Sequence, residues 1–224
     1  METAFVTGAN RGIGFELAKQ LIQNGYYVHA TFRNDKGGLE SLDQSMITLH
    51  RMDVRSDSEV ERVFSQISGK VDLLINNAGV YSTSQSSIEN LSIEEVSDMM
   101  QVNGIGPLRV TKAAMPNLKI SKSAKVVNIS TGFSSVSDCS GGYYGYRGSK
   151  AALNMFSVAT ERELRRYGIS TMLICPGWVA TDMGGFGAPL SAKKSVNGIL
   201  DRITELSLSN SGRFVSHDGD TMPW

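Results

Sequence analysis

The sequence predicts an α/β fold built on a doubly wound, mainly parallel sheet with helices on both faces. Short apolar runs typical of buried strands alternate with longer segments whose apolar residues recur three and four positions apart, as in amphipathic helices. This alternation indicates βαβ units with right-handed crossovers. Small and polar residues follow directly after these runs, and the carboxyl ends of the strands are where such sheets bind ligands.

The strand predictions are taken in chain order. Strand-like runs are found at Ala4–Thr7, Tyr27–Phe32, Met46–Leu49, Val71–Ile75, Lys125–Ile129 and Ser170–Ile174. We predict that all 224 residues form a single domain. Residues 81–92 are polar and rich in serine, which predicts a loop before a helix that Ser92 caps, with Glu95 completing a capping box.

The composition excludes several classes of protein. The 22 Lys and Arg residues balance the 22 Asp and Glu residues, which removes the electrostatic argument for a nucleic-acid partner. No apolar run reaches the roughly 18 residues of a membrane span, and no signal-peptide pattern precedes the first strand. Cys139 and Cys175 lack metal-ligand spacing. We therefore expect a cytoplasmic protein without a metal or a membrane partner.

Tyr146 and Lys150 are the strongest candidates for chemistry. If this segment is helical, residues four positions apart lie on the same face, roughly 6 Å from each other. A free tyrosine has a pKa of about 10, and a nearby cation is expected to lower it. The pair is therefore suited to move a proton to or from an oxygen atom.

A glycine-rich loop follows the first strand. Gly8 permits a tight turn, and Gly12 and Gly14 leave space where a pyrophosphate and the next helix approach closely. The predicted helix at about residues 12–23 offers its amino-terminal N–H groups to phosphates. The spacing is Gly-x-x-x-Gly-x-Gly, which differs from the Gly-x-Gly-x-x-Gly of many dehydrogenases. The alternative is an ordinary strand-to-helix turn.

Two arginines indicate which dinucleotide is bound. An NAD site usually carries an acidic residue after the second strand, whereas here Phe32 and Arg33 occupy that region. Arg11 in the glycine loop adds a second cation, and guanidinium groups suit a 2′-phosphate. We predict NADP(H); the alternative is that Arg33 is a solvated surface charge.

Asp53 is predicted to contact the adenine amino group, with Val54 beside it. The alternative is that Asp53 caps the next helix.

In these motifs the chain resembles the short-chain dehydrogenase/reductase family, and the resemblance covers nearly its whole length. The motifs are Thr7-Gly8-Ala9-Asn10-Arg11-Gly12-Ile13-Gly14, Asn76-Asn77-Ala78-Gly79, Tyr146-x-x-x-Lys150, and Pro176-Gly177 followed by Thr181. Residues 141–147 and 211–224 are similar to the C-factor and sniffer-type carbonyl reductases. The resemblance implies a Rossmann-type, seven-stranded fold, and a homodimer is a family-level expectation.

The resemblance also implies roles for individual residues. Asn103 matches a helix-kink asparagine that holds a water leading to Lys150; the alternative is an ordinary helix residue. Asn76 would stabilise the edge of the sheet. Together, the residues predicted to bind the cofactor are Gly8, Asn10, Arg11, Gly12, Ile13, Gly14, Arg33, Asp53, Val54, Asn77, Ala78, Gly79, Tyr146, Lys150, Pro176, Gly177, Val179 and Thr181.

Thr131 departs from the family pattern, which usually has a serine there. Threonine keeps a hydroxyl that can donate to a substrate oxygen, although its methyl group narrows the pocket. Three outcomes stay open: Thr131 supports activity, a neighbour such as Ser130 or Ser134 replaces it, or activity is lost.

The predicted function is NADPH-dependent reduction of an aldehyde, ketone or quinone to an alcohol. In that mechanism Tyr146 is the general acid, Lys150 holds the ribose and lowers the pKa of Tyr146, and Thr131 and Asn103 assist. A nucleotide-binding signalling or sensor protein is the alternative. An epimerase or dehydratase would normally carry a larger substrate domain after the sixth strand. Residues 182–190 are glycine-rich and are predicted to form a lid before a helix that starts near Ser191.

Overall fold

A computed structural model describes residues 1–82 and 87–224 of the chain. The described part contains nine strands: β1 (Thr3–Val6), β2 (Tyr27–Phe32), β3 (Ile47–Arg51), β4 (Leu73–Asn76), β5 (Lys125–Ile129), β6 (Ser170–Cys175), β7 (Val179–Ala180), β8 (Leu190–Ser191) and β9 (Arg213–Ser216). Seven of them form a parallel sheet in the order β3-β2-β1-β4-β5-β6-β9. The predicted doubly wound sheet is confirmed.

Six α-helices are described: α1 (Gly12–Gln23), α2 (Asp57–Ser65), α3 (Ile93–Met99), α4 (Gly106–Ile120), α5 (Tyr144–Leu164) and α6 (Ala192–Glu205). A π-helical segment, Met100–Ile105, joins α3 to α4. Helix α3 begins at its predicted cap, because the Ser92 hydroxyl accepts a hydrogen bond from the Glu95 N–H. Helix α6 likewise begins after Ser191, whose side chain caps it.

Two apolar cores lie on opposite faces of the sheet. Successive residues of a strand point to opposite faces, so Ala4 and Val6 pack with α1 and α6, whereas Phe5 packs with α2 and α4. Phe5 is fully buried and its ring stacks on Phe64 with the centroids 4.5 Å apart. Because both faces are covered, the strands read as short, nearly continuous apolar runs.

The differences from the predicted elements have local causes. All six predicted runs are strands of the large sheet: β2 and β5 have the predicted ends, the ends of the other four lie within two residues of those predicted, and β9 is the seventh strand. Strands β7 and β8 form a separate two-residue pair that is too short to give a periodic pattern. The predicted serine-rich loop at residues 81–92 includes residues 83–86, which lie outside the described residues.

Asn76 stabilises the edge of the sheet, as predicted. Its Nδ2 donates to Asn128 Oδ1 at 2.8 Å and to Thr111 Oγ1 at 3.1 Å. Asn128 in turn donates to Ser157 Oγ at 2.8 Å. This buried amide network links β4 and β5 to α4 and α5 directly beneath the carboxyl edge.

Within residues 1–82 and 87–224, no helix combines the length and apolar character needed to cross a bilayer.

Candidate active site

A cleft of about 440 Å³ opens at the carboxyl edge of the sheet. Its lining includes most of the residues predicted to bind a cofactor: Gly8, Asn10, Arg11, Gly12, Ile13, Gly14, Arg33, Asp53, Val54, Asn77, Ala78, Gly79, Tyr146, Lys150, Pro176 and Thr181. These residues come from the ends of five parallel strands and from α5. The structure thus brings the glycine loop and the Tyr146–Lys150 pair into one cleft.

The glycine loop is packed too tightly for side chains at two positions. A Cβ atom on Gly14 would lie 2.2 Å from the main-chain oxygen of Gly8, and a Cβ on Gly8 would lie 2.9 Å from Cα of Ala78. Gly8 also has a φ of 62°, which glycine adopts without steric cost. Close packing of the loop against the end of β4 therefore explains why glycine is needed there.

Asn77 and two threonines hold this loop in place. Asn77 Nδ2 donates to the main-chain oxygens of Thr7 at 2.9 Å and Gly8 at 3.0 Å. Thr7 Oγ1 accepts from the N–H groups of Asn77 and Ala78, and Thr31 Oγ1 accepts from the Gly8 N–H at 3.2 Å. The sequence analysis missed this role of Thr7 and Thr31, although a hydroxyl at the end of each buried strand was a visible signal.

Charges at the mouth of the cleft are mixed. Arg11 and Arg33 are both exposed and both line the cleft. Arg11 Nη1 forms a salt bridge with Asp182 Oδ2 at 3.1 Å, which joins the glycine loop to the segment after β7. Asp182 was not among the predicted site residues, since only the tertiary structure brings it near Arg11.

Asp53 lines the cleft and is paired with Arg55. Its Oδ2 accepts from Arg55 Nη2 at 2.6 Å, and hydrogen bonding from this guanidinium keeps the pKa of the Asp53 carboxyl low. The alternative that Asp53 caps the next helix is wrong: Ser56 caps α2, its hydroxyl accepting from the Glu59 N–H.

Tyr146 lies in the first turns of α5 with its phenol turned into the cleft. Burial raises the pKa of Tyr146 to about 12, and a hydrogen bond with the Thr131 side chain opposes this rise. The sequence analysis predicted a lowered pKa, and for this structure that prediction is wrong. The desolvation of the phenolate is the dominant effect.

Lys150 is buried and directed to the end of β5. Its Nζ donates to the main-chain oxygen of Ile129 at 2.8 Å. Burial lowers the pKa of Lys150 to about 8, because an ammonium is costly to desolvate. The lysine lies in the same cleft as Tyr146, but burial, and not the charge of the lysine, governs the pKa of the phenol.

Asn103 is fully buried in the π-helical segment. Its side chain accepts from the Val80 N–H at 2.8 Å and donates to the Val80 oxygen at 2.9 Å and to Ser149 Oγ at 3.0 Å. Asn103 thereby connects the end of β4 to α5, one residue before Lys150. The helix is irregular here, in line with the glycines at 104 and 106.

Thr131 is the hydroxyl that reaches Tyr146. Its neighbours Ser130 and Ser134 are both buried and bonded to Asn154: Ser130 Oγ donates to Asn154 Oδ1 at 2.7 Å, and Asn154 Nδ2 donates to Ser134 Oγ at 2.8 Å. Thr131 is only partly buried and caps the short 3-10 helix Gly132–Ser134. The geometry therefore favours Thr131 over the two serines as the partner of Tyr146.

Two aromatic rings lie beside Tyr146, and a third packs against both of them. The Tyr81 ring lies 5.0 Å from the Tyr146 ring in an edge-on arrangement, and the Phe133 ring lies 6.3 Å away. Tyr143 stacks on Tyr81 at 5.8 Å and packs against Phe133 at 5.7 Å. Arg147 holds Phe133, since its guanidinium lies 4.4 Å from the centre of that ring. Tyr81 and Phe133 were missed in the sequence analysis because they are remote from the motif.

The segment after β6 forms another wall of the cleft. Pro176 and Thr181 line the cleft, whereas Gly177 and Val179, which were also predicted to bind the cofactor, do not line it. Gly177 packs against Leu190, and buried Val179 pairs with Leu190 in the small sheet. The predicted lid, residues 182–190, is tied back at Gly184, whose oxygen accepts from Trp178 Nε1 at 2.7 Å.

The cleft fits a dinucleotide. The glycine loop would lose its packing if Cβ atoms were added, and it leads into the amino terminus of α1, where N–H groups and the helix dipole favour phosphate. Arg11 and Arg33 supply positive charge at the same edge. Tyr146 and Lys150 line the same cleft.

Comparison with known proteins agrees with this geometry. Residues 2–187 match the protein family described as short chain dehydrogenase. The chain belongs to the short-chain dehydrogenase family. Members of this family are oxidoreductases that bind a nicotinamide cofactor and act on small molecules. The chain is also 41% identical over 158 residues to C-signal of Myxococcus xanthus, covering 70% of this chain and 95% of C-signal.

Solved structures of two carbonyl reductases are similar to this short-chain dehydrogenase over its whole length. The NADPH-bound carbonyl reductase from chicken fatty liver is 31% identical with a TM-score of 0.93, covering 100% of this chain and 99% of that one. The carbonyl reductase Sniffer of D. melanogaster is 30% identical with a TM-score of 0.94, covering 100% of both chains. The resemblance to C-factor and sniffer-type proteins stated above is confirmed.

Proposed function

We propose that this short-chain dehydrogenase uses NADPH to reduce the carbonyl group of an aldehyde, ketone or quinone to an alcohol. The observation that carries the proposal is the position of Tyr146 and Lys150 in the same cleft as the glycine loop. In this proposal Tyr146 is the proton donor beside the nicotinamide end of the bound cofactor. The proposal covers the reaction class and the cofactor, and the chicken and fly carbonyl reductases support it by similarity.

Tyr146 holds a proton that the reduction of a carbonyl consumes. With a pKa raised to about 12 by burial, the phenol carries its proton at neutral pH. A carbonyl that gains a hydride becomes an alkoxide, which needs a proton. Tyr146 can therefore act as the general acid without first being charged.

The other polar groups have separate tasks in this proposal. The Thr131 hydroxyl shares the developing negative charge on the substrate oxygen, and preorganised donors at such an oxygen are usually the largest contribution to the rate. Lys150 binds the ribose hydroxyls and passes protons towards Tyr146. Asn103 keeps the end of β4 against α5 and holds the water that leads to Lys150. A bound nicotinamide cofactor would supply the hydride.

Arg11 and Arg33 support NADP(H) over NAD(H). Both guanidinium groups line the cleft, and two cations suit a 2′-phosphate. Asp35 also lines this edge and bears the opposite charge, so the preference for NADPH depends on the arginines outweighing it.

The alternative, a sensor that binds the nucleotide without turnover, has less support. A protein that only bound the nucleotide could use Lys150 to hold the ribose, but it would not need the proton donor Tyr146 beside it. Thr131, the one departure from the family pattern, keeps a hydroxyl close enough to Tyr146 to oppose the rise in the pKa of the phenol.

The test compares NADPH and NADH oxidation across aldehydes, ketones and quinones. We expect turnover with NADPH, and a reduction of kcat by about 10²- to 10⁴-fold in Tyr146→Phe, which lacks the general acid. Tyr144→Phe is the matched control, because Tyr144 lies on the same helix but is exposed. NADPH that binds to the wild type without oxidation by any substrate would favour the sensor.

Cofactor preference needs its own measurement. Arg33→Ala should weaken NADPH binding and leave NADH binding nearly unchanged, as measured by fluorescence titration. Equal losses for both cofactors would show that Arg33 does not recognise the 2′-phosphate.

A further inference from the structure

The end of the chain folds back over the loop that carries Thr131. After β9, residues 217–224, here called the tail, reverse direction through an antiparallel bridge between Val215 and Thr221. The Met222 N–H donates to the Phe214 oxygen at 3.0 Å, and the Trp224 ring packs 5.7 Å from the Phe214 ring. The tail is thus anchored on the outer strand of the sheet.

Residues 135–137 donate hydrogen bonds to a single atom of the tail. The main-chain oxygen of Trp224 accepts from the N–H groups of Val136 at 3.1 Å and Ser137 at 3.4 Å. It also accepts from Ser135 Oγ at 3.0 Å and Ser137 Oγ at 3.3 Å. The two serines thus share an acceptor that is more than 80 residues away in the chain.

The same tail touches the turn that follows Thr131. A Cβ atom on Gly132 would lie 3.3 Å from Cε of Met222. The 3-10 helix Gly132–Ser134 is then bonded to its neighbours on both sides: the Ser134 N–H donates to the Thr131 oxygen and the Ser135 N–H donates to the Gly132 oxygen, each at 3.1 Å. A shift of residues 135–137 is therefore transmitted to Thr131.

Two groups at the reaction centre depend on this turn. Thr131 bears the hydroxyl that bonds to Tyr146, and Phe133 bears a ring beside Tyr146. Thr131 is partly exposed and lies at the start of a three-residue helix, which has little stability of its own. Contacts from outside this short helix therefore help to fix the Thr131 hydroxyl: Asn154 holds Ser134, and the tail is bonded to residues 135–137.

We propose that the tail is a positioning element for the reaction: by holding residues 135–137 and Gly132, Trp224 and Met222 fix the Thr131 hydroxyl against Tyr146. This inference rests on the proposed reductase function. It assigns Ser135, Ser137 and Trp224 as positioning residues that act through Thr131 and do not contact the reacting atoms. Cofactor binding is expected to be independent of the tail, since the tail contacts Gly132, residues 135–137 and strand β9, which are not among the residues predicted to bind the cofactor.

The first test removes the two hydroxyl donors in the double variant Ser135→Ala/Ser137→Ala. We expect kcat to fall roughly 10-fold while the NADPH dissociation constant stays within twofold, because small displacements of a reacting group are costly to the rate. Ser207→Ala/Ser209→Ala is the matched control: these serines have the same spacing and a mutual hydrogen bond of 2.8 Å, beside the 3-10 helix Leu208–Asn210.

A double-mutant cycle separates positioning from general loosening. If the tail acts through Thr131, the double serine variant should be no slower in a Thr131→Val background than Thr131→Val alone. Losses that multiply would overturn the proposal, because the tail would then act on the rate by another route.

Trp224→Ala gives an independent test of the same idea. Tyr167→Ala is its control, because both aromatic residues are 48% exposed. We expect Trp224→Ala to lower kcat with little effect on NADPH binding. An active wild type whose serine and Trp224 variants all retain its kcat would overturn the inference alone, whereas a wild type without carbonyl reduction would overturn the proposed function.

Discussion

Arg11 and Asp182 form a salt bridge of 3.1 Å across the mouth of the cleft. Arg11 belongs to the glycine loop, and Asp182 begins the segment predicted to be a lid. Both side chains are exposed, so the pair itself is worth no more than about 1 kcal/mol of stability. The salt bridge matters because of its position: Asp182 pairs with the Arg11 guanidinium, which would otherwise be available to a cofactor phosphate.

Asp182→Asn should therefore strengthen NADPH binding. The substitution frees Arg11 and removes a negative charge near the phosphates, and we expect the dissociation constant to fall by roughly 3- to 10-fold at low salt. Titration of NADPH fluorescence measures this change. Asp201→Asn, the same substitution on an exposed position of α6, is the control. Weaker binding in Asp182→Asn would mean that the salt bridge organises the bound state.

Thr131→Val should lower kcat by about 10- to 100-fold, since it removes the hydroxyl that contacts Tyr146 but keeps the side-chain shape. Thr131→Ser should retain most of the activity. Steady-state kinetics of both variants decide among the three outcomes left open by the sequence. Full activity in Thr131→Val together with a loss in Ser134→Ala would transfer the role to the serine.

Phe133→Leu should lower kcat/KM for aromatic substrates relative to kcat/KM for aliphatic ones. Phe133 and Tyr81 present rings beside Tyr146, and ring contacts beyond simple burial are worth about 0.5 to 1.5 kcal/mol. We expect the ratio of kcat/KM for benzaldehyde over hexanal to fall by about 2- to 10-fold. Phe186→Leu is the control, because Phe186 is 86% exposed on the predicted lid. An unchanged ratio would exclude Phe133 from substrate selection.

Acid should destabilise the protein through a pair of histidines. His29 Nδ1 and His50 Nε2 lie 3.0 Å apart on β2 and β3. Burial, and secondarily the charge of His50, lowers the pKa of His29 to about 4; burial, and then Arg62, lowers the pKa of His50. Between the ordinary value of 6.5 and about 4, the unfolded chain binds a proton that the folded chain does not, so stability falls as the pH falls through this window.

Urea unfolding at pH 7 and pH 5 measures this effect. After allowance for the partial exposure of His29, the loss should be on the order of 1 kcal/mol, and His29→Gln should reduce it. A stability that does not change between the two pH values would show that the histidines are not protonated on unfolding in this range.

Much of the fold could be predicted from the sequence because its signals are local. The six apolar runs and the helical spacing between them depend on neighbouring residues only, and the caps Ser92 and Ser191 act within one turn of their helices. Strand β9 was harder to locate because it follows the last clear alternation of strand-like and helix-like segments in the sequence. Strands β7 and β8 were harder to locate because each has only two residues.

The sequence by itself determined which residue types meet at the carboxyl edge, because parallel strands end there and the motifs follow the strands. The tertiary structure alone decided how those residues behave. Burial reversed the expected pKa shift of Tyr146, and Asn154 engaged Ser130 and Ser134 so that Thr131 faces the phenol. Desolvation and contacts between residues far apart in the chain depend on the packed environment, and that environment also brought Trp224 to Ser135 and Ser137.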